Sequence, residues 1–158
     1  MKNVLFLCTG NSCRSIMAEG ILNHYGKDRF RAFSAGSSPT GNVHPLSLAT
    51  LERHGMSSQG YESKSWDVFK NLADLDIVIT VCGNAASEVC PIFPGAPIKA
   101  HWGVPDPAHV TGTPVEIAAR FDQVFGSLER RVKALLALPE STMDKALLAT
   151  ALTSIGEL

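Results

Sequence analysis

Residue periodicity changes once within the first 25 residues, and that change constrains the fold more than any other feature. Lys2 to Cys8 is a short apolar run, read as a buried strand. Arg14 to Tyr25 places Ile16, Met17, Gly20, Ile21 and Tyr25 at helical spacing, with Gly26 as a stop. Only the five residues Thr9 to Cys13 join the two. A strand handed so abruptly to a helix opens a β–α unit, and such units build parallel sheets.

The pattern repeats down the chain. Arg29 to Ala35 alternates as a second strand, and Ser37 to Asn42 is a loop. Pro45 to His54 is a helix ended by Gly55, and Ser65 to Leu72 a further short helix. Asp76 to Val81 is a buried strand, and Pro97 to His101 a short last one. After a loop from Trp102, Thr113 and Pro114 are the N-cap and first position of a long helix running toward Leu138. Ile117, Phe121, Val124, Phe125 and Leu128 form its core face, and a final helical segment starts after Ser141. The fold class is α/β: one domain, three layers, a central four-stranded parallel sheet flanked by helices. Residues 1–138 make its body and 139–158 a C-terminal helical extension.

Composition sets the boundaries. The chain has 158 residues, 45% apolar and 18% charged, which suits one domain with a full core. A net charge of -1 gives no electrostatic basis for nucleic acid or an anionic membrane as partner. No apolar run approaches the roughly 20 residues of a membrane helix. The apolar stretch Val4 to Leu7 is too short for a signal peptide, so a cytoplasmic location is expected. Four cysteines in such a chain point to catalysis, redox chemistry or metal binding rather than structural bridges.

Ligands of open parallel sheets bind at the C-terminal strand ends. Cys8, Cys82 and the loop after His101 all fall there. The segment Cys8-Thr9-Gly10-Asn11-Ser12-Cys13-Arg14-Ser15 has the makings of an oxyanion loop. It can curl so that backbone N–H groups converge on an anion. Gly10 is expected to supply permissive backbone angles, and Asn11 tolerates positive φ. The helix N-terminus adds its positive end, and the Arg14 guanidinium can grip two oxygens. The same field should lower the Cys8 pKa and populate a nucleophilic thiolate, with Ser15 donating to the sulfur. The plainer reading makes Cys8 a buried strand-end cysteine; Cys13 is expected to be structural.

Following Val4 to Leu7, Cys8 to Ser15 resembles the low-molecular-weight protein tyrosine phosphatase fold. His101-Trp-Gly-Val-Pro-Asp-Pro-Ala108, the pair Cys82 and Cys90, and Ser34-Ala-Gly36 are similar to arsenate reductases built on that fold. The resemblance covers roughly residues 2 to 138. It implies that Asp106, stiffened between Pro105 and Pro107, protonates the departing oxygen, a service worth about 100- to 10,000-fold. Phosphatases of this fold carry tyrosines after the Asp-Pro pair to frame an aryl substrate; here Ala108, His109 and Val110 stand instead.

The resemblance further implies a thiol relay. Cys8 attacks arsenate, Cys82 attacks Cys8 to release arsenite, and Cys90 attacks Cys82 to free Cys8. A dithiol reductant then regenerates the protein, thioredoxin first. Cys82 and Cys90 stand one residue further apart than is common among thioredoxin-coupled members, which keeps glutaredoxin with glutathione, or another low-molecular-weight thiol, in play. No organic cofactor or redox metal is implied. Some relatives hold a potassium ion beside the loop; Asn11, Glu19 and Ser34 match its ligands, and Lys64 stands at the fourth position. Its ammonium is expected to replace the ion and pair with Glu19. Alternatives are a tyrosine phosphatase, a thiol redox-sensing oxyanion-binding module, and Cys82 and Cys90 as core residues or zinc ligands with His101 or His109. His24, His44 and His54 are read as surface or capping residues, Trp66 and Trp102 as packing residues.

Overall fold

The structure is a computed structural model describing residues 1–70, 74–82, 93 and 97–158. Its elements are β1 (Lys2–Cys8), α1 (Arg14–Tyr25), β2 (Phe30–Gly36), α2 (Pro45–Arg53), β3 (Leu75–Thr80), β4 (Ile98–His101), α3 (Pro114–Leu136) and α4 (Lys145–Ile155). Short 3₁₀ turns cover Trp66–Phe69, Pro107–His109 and Glu140–Met143. The helix expected over Ser65 to Leu72 is thus shortened to a single turn within the described residues. Ser65 caps it by accepting the Asp67 N–H at 3.1 Å.

The four strands are all parallel, in the order β2-β1-β3-β4. Central β1 is buried from Val4 to Cys8, and its alternation divides the core. Val4, Phe6 and Cys8 join the larger cluster, with Met17 and Ile21 of α1 and Phe121, Phe125 and Leu128 of α3. Leu5 and Leu7 join Ala35, Phe69, Leu75, Val78 and Phe93 on the other face. Each such side chain contributes about 1.5–3 kcal/mol on burial, and β1 supplies side chains to both clusters.

The long helix begins as its residues dictate. Thr113 Oγ1 accepts the Glu116 N–H at 3.2 Å, and Glu116 Oε1 accepts the Thr113 N–H at 3.4 Å, a reciprocal capping box with Pro114 in the first turn. At the far end of the chain, α4 packs against β4 and α3. Its Leu148, Leu152 and Ile155 lie in the larger core cluster, and the Trp102 indole N–H donates to the Leu152 carbonyl at 3.0 Å. Residues 145–155 therefore complete the same core that α1 and α3 build. Among the described residues, no helix is long and apolar enough to cross a membrane.

Candidate active site

The loop between β1 and α1 shapes itself by sending its carbonyls outward. The Thr9 carbonyl accepts the Ser38 N–H at 2.9 Å. The Gly10 carbonyl accepts the Thr40 N–H at 3.1 Å and the Ser63 hydroxyl at 3.0 Å. The Ser12 carbonyl accepts the His44 N–H at 3.1 Å and the Ser47 hydroxyl at 3.0 Å. In a trans peptide the next residue's N–H points opposite to the carbonyl. The amides of Gly10, Asn11 and Cys13 are thereby turned toward the loop's interior, where α1 also begins, and together they form an anion-binding nest.

Asn11 makes the curl possible. Its φ is 47°, the one positive φ outside glycine among the described residues. Its fully buried side chain donates from Nδ2 to Ser15 Oγ at 2.9 Å, while Oδ1 accepts the Lys64 N–H at 2.9 Å. Gly10, expected to carry the unusual angle, has no positive φ. The glycine the loop requires is Gly36: a Cβ there would lie 2.4 Å from the Thr9 carbonyl oxygen and 2.8 Å from that of Cys8. Both obstacles are backbone, so no side-chain rearrangement makes room.

Around the nest lies a cleft of about 390 Å³ lined by Cys8 to Arg14 on one side and Thr40, His44, Asp106, Ala108 and His109 on the other. Arg14 donates from Nη1 to the Val104 carbonyl at 3.1 Å and places Nη2 3.5 Å from Asp106 Oδ2. Asp106 caps the 3₁₀ turn that follows it, Oδ1 accepting the Ala108 N–H at 2.9 Å. Arg14 and Asp106 thus meet across the cleft, as their spacing in the sequence could not show.

Two further contacts aim the acid loop. The Trp102 and Val104 amides donate to the Thr80 and Val81 carbonyls at 2.7 and 3.1 Å, continuing the edge of β3. Buried Arg131 reaches from α3 to the Trp102 and Gly103 carbonyls at 3.0 and 3.1 Å. Arg131 escaped the sequence reading, although a signal existed. It is a charge among Leu128, Val132 and Leu135 on the helix's apolar stripe.

The sulfurs carry the main surprise. Cys8, Cys13 and Cys82 are all buried. The Thr9 N–H donates to Cys82 Sγ at 3.3 Å, and the Thr9 hydroxyl lies 3.6 Å from the same sulfur. The Cys8 thiol, expected to ionise easily, is instead pushed far above its ordinary value. A hydrogen bond with Cys82 is the largest cause and burial the second, while the Arg14 guanidinium pulls the other way. The neighbouring sulfurs repel each other's charge, and a Thr9 backbone hydrogen bond, like Arg14, works to lower the Cys8 thiol. The Ser15 hydroxyl accepts the Asn11 amide, which leaves its own proton available. Cys13 is also pushed up, chiefly by burial, against hydrogen bonds from Ser47 and Ser12. Cys90 lies outside the described residues.

The cation position differs from expectation in one contact. The Ser34 hydroxyl donates to Glu19, and burial raises the Glu19 carboxyl above its ordinary value, opposed by Ser34 and by the Lys64 charge. The Lys64 ammonium forms no ion pair there. It donates to the Glu62 carbonyl at 3.2 Å, and it is the Lys64 backbone N–H that holds Asn11. Among the described residues no cluster of His, Cys, Asp and Glu is arranged to hold a metal. His54 stacks on Phe125 at 3.9 Å on the surface, while His44, an N-cap for α2, also lines the cleft.

Known proteins share this arrangement. The arsenate reductase of Halalkalibacterium halodurans is 39% identical over 132 residues, covering 84% of this chain and 93% of the relative. A solved arsenate reductase in a phosphate-binding state superposes with a TM-score of 0.72 at 33% identity, over 87% of this chain and 98% of its own. A thioredoxin-dependent arsenate reductase of Corynebacterium glutamicum gives 0.57 at 29% identity, over 84% of this chain and 62% of that one. The model of the low molecular weight phosphotyrosine protein phosphatases matches residues 3–147. From β1 through the start of α4, then, this chain belongs to the low molecular weight phosphotyrosine protein phosphatase family.

Proposed function

We propose that the protein reduces arsenate to arsenite with electrons drawn from thiols. The observation that carries this reading is the position of Cys82. A phosphatase resolves its sulfur adduct with water and has no use for a second sulfur there; here Thr9 at the base of the oxyanion loop holds the Cys82 sulfur beside Cys8. The arsenate reductase relatives support it further.

The first step is displacement at arsenic. The nest and Arg14 bind the tetrahedral anion, Cys8 forms an S–As bond as its thiol proton passes to an oxygen of the bound dianion, and the departing hydroxide takes a proton from Asp106 to leave as water. In the second step Cys82 attacks Cys8 Sγ. The S–As bonding pair goes to arsenic, which falls from As(V) to As(III) and leaves as arsenite, and a Cys8–Cys82 disulfide forms. Cys90 then attacks Cys82, returning Cys8 to its thiolate and leaving a Cys82–Cys90 disulfide for an external dithiol to reduce. Thioredoxin is the reductant we favour, by analogy with the Corynebacterium relative, with glutaredoxin and glutathione as the competing source. The reaction belongs in the cytoplasm, where thiols are kept reduced. Among the described residues lining the cleft none is Phe, Tyr or Trp, so hydrolysis of aryl phosphates should be a slow side activity.

A single turnover decides the matter. Reduced protein is mixed with arsenate, free thiols are trapped, and disulfides are mapped. The expected products are arsenite equal to protein and a Cys82–Cys90 bond, and Cys82→Ser should stop arsenite release. Normal arsenate turnover by that variant would sink the relay. Rapid aryl phosphate hydrolysis without arsenite would make the protein a phosphatase.

A further inference from the structure

His109 stands on the acid loop, at the end of the 3₁₀ turn that Asp106 caps. Its Nε2 lies 3.1 Å from Asp106 Oδ2. That is the oxygen left for proton delivery, because Oδ1 is committed to the Ala108 amide. The two partners differ in exposure. The Asp106 side chain is 28% exposed and faces the cleft, whereas that of His109 is 85% exposed. A 3.1 Å contact therefore joins the carboxyl at the reacting end to an imidazole in bulk water.

Water loss from arsenate needs one proton per turnover at Asp106. We propose that His109 supplies it: His109 is the positioning and relay residue that reprotonates Asp106 from solvent. This rests on the arsenate reading above. Before the reaction, the pair holds one proton between Asp106 Oδ2 and His109 Nε2. As the As–O bond breaks, the leaving oxygen takes the proton from Oδ2, and hydroxide becomes water. The imidazole then takes a proton from solvent at Nε2 and passes it to Asp106. Net, one solvent proton enters the water that leaves, and both side chains return to their starting forms.

The surrounding charges leave this task to His109. Arg14 Nη2 lies 3.5 Å from the same oxygen, but guanidinium does not give up its proton in this pH range. His44 faces the cleft from α2 with Nδ1 occupied by the Leu46 N–H at 3.1 Å. On α3, Glu116 is held in its capping box with Thr113. Imidazole ordinarily changes charge between pH 5 and 8, which suits a relay working near neutrality.

The test compares wild type, His109→Ala and His109→Gln in single-turnover arsenite release between about pH 5.5 and 8.5. Glutamine can still hydrogen-bond Asp106 but cannot carry a proton. Both variants should lose about 10-fold at the alkaline end and little at the acid end, a smaller effect than the 100-fold or more for removing a general acid. Added imidazole should restore His109→Ala. An unchanged pH profile overturns the proposal. So does a uniform loss that glutamine rescues and imidazole does not, since that marks mere positioning. If wild type itself releases no arsenite, the reductase reading fails, and the same profiles taken with phenyl phosphate, whose leaving oxygen also needs a proton, decide the role of His109.

Discussion

Asn11→Ala tests the loop where its geometry is most exacting. The wild-type side chain bridges Ser15 Oγ and the Lys64 N–H, both at 2.9 Å, in a site without solvent. Alanine leaves the Lys64 amide with no acceptor, at about 1–3 kcal/mol. The Ser15 hydroxyl can turn elsewhere, so its loss is nearer 0.5–1.5 kcal/mol. Holding alanine at a φ of 47° adds about 1 kcal/mol. The sum is about 3–5 kcal/mol, or roughly 6–20 °C at the 2–4 °C per kcal/mol expected for a domain of this size. Thermal unfolding followed by far-UV circular dichroism reads it directly. Inorganic phosphate should raise the wild-type melting temperature by mass action and do much less for the variant, whose amides are no longer organised. Asn11→Gly loses the same hydrogen bonds without the strain, but glycine's freedom in the unfolded chain takes back part of the gain. It should therefore melt above alanine by no more than about 1 kcal/mol. A loss of less than about 2 °C in Asn11→Ala, with phosphate protection intact, would refute the account of the loop.

Three other perturbations bear on the same site. Cys82→Ala removes the largest influence raising the Cys8 thiol, so the pH midpoint for alkylation of Cys8 should fall even as arsenite release stops; an unmoved midpoint means the sulfurs do not share charge. Burial lifts the Glu19 carboxyl above its ordinary 4.5, so its contribution to stability is complete below that pH and is lost as pH rises through the folded value. Glu19→Gln, which still accepts the Ser34 hydroxyl, should flatten that decline in melting temperature, and an unchanged slope contradicts the assignment. We also propose that Lys64 replaces a bound cation through its charge rather than through contact: potassium should stabilise Lys64→Ala but not wild type, and strong stabilisation of wild type by potassium would refute this.

Much of the fold was legible because its signals are local. The apolar run Val4 to Leu7, the helical spacing after Arg14 and the Thr113–Pro114 start depend on neighbours a few residues away, and all three stand as elements. Cys8, Arg14 and Asp106 stood out by residue type and order, and the structure brings all three to one cleft. What failed was anything requiring a distance. Gly10 looked like the hinge because it sits in the loop, yet the tight approach is made by Gly36 of the neighbouring strand. Lys64 was expected to act through its ammonium at the fourth cation position, yet its backbone does the holding.

By itself, then, the sequence determined the order of elements, the parallel sheet and the candidate nucleophile, since periodicity and residue chemistry are written along the chain. Only the tertiary structure decided the state of that nucleophile. Cys8 and Cys82 are far apart in sequence, and β1 and β3 bring their ends side by side. Hydrogen bonding and burial then raise the Cys8 thiol more than Arg14 and the nest lower it. Ionisation is a property of three-dimensional surroundings, summed over neighbours that the chain supplies from separate strands and loops.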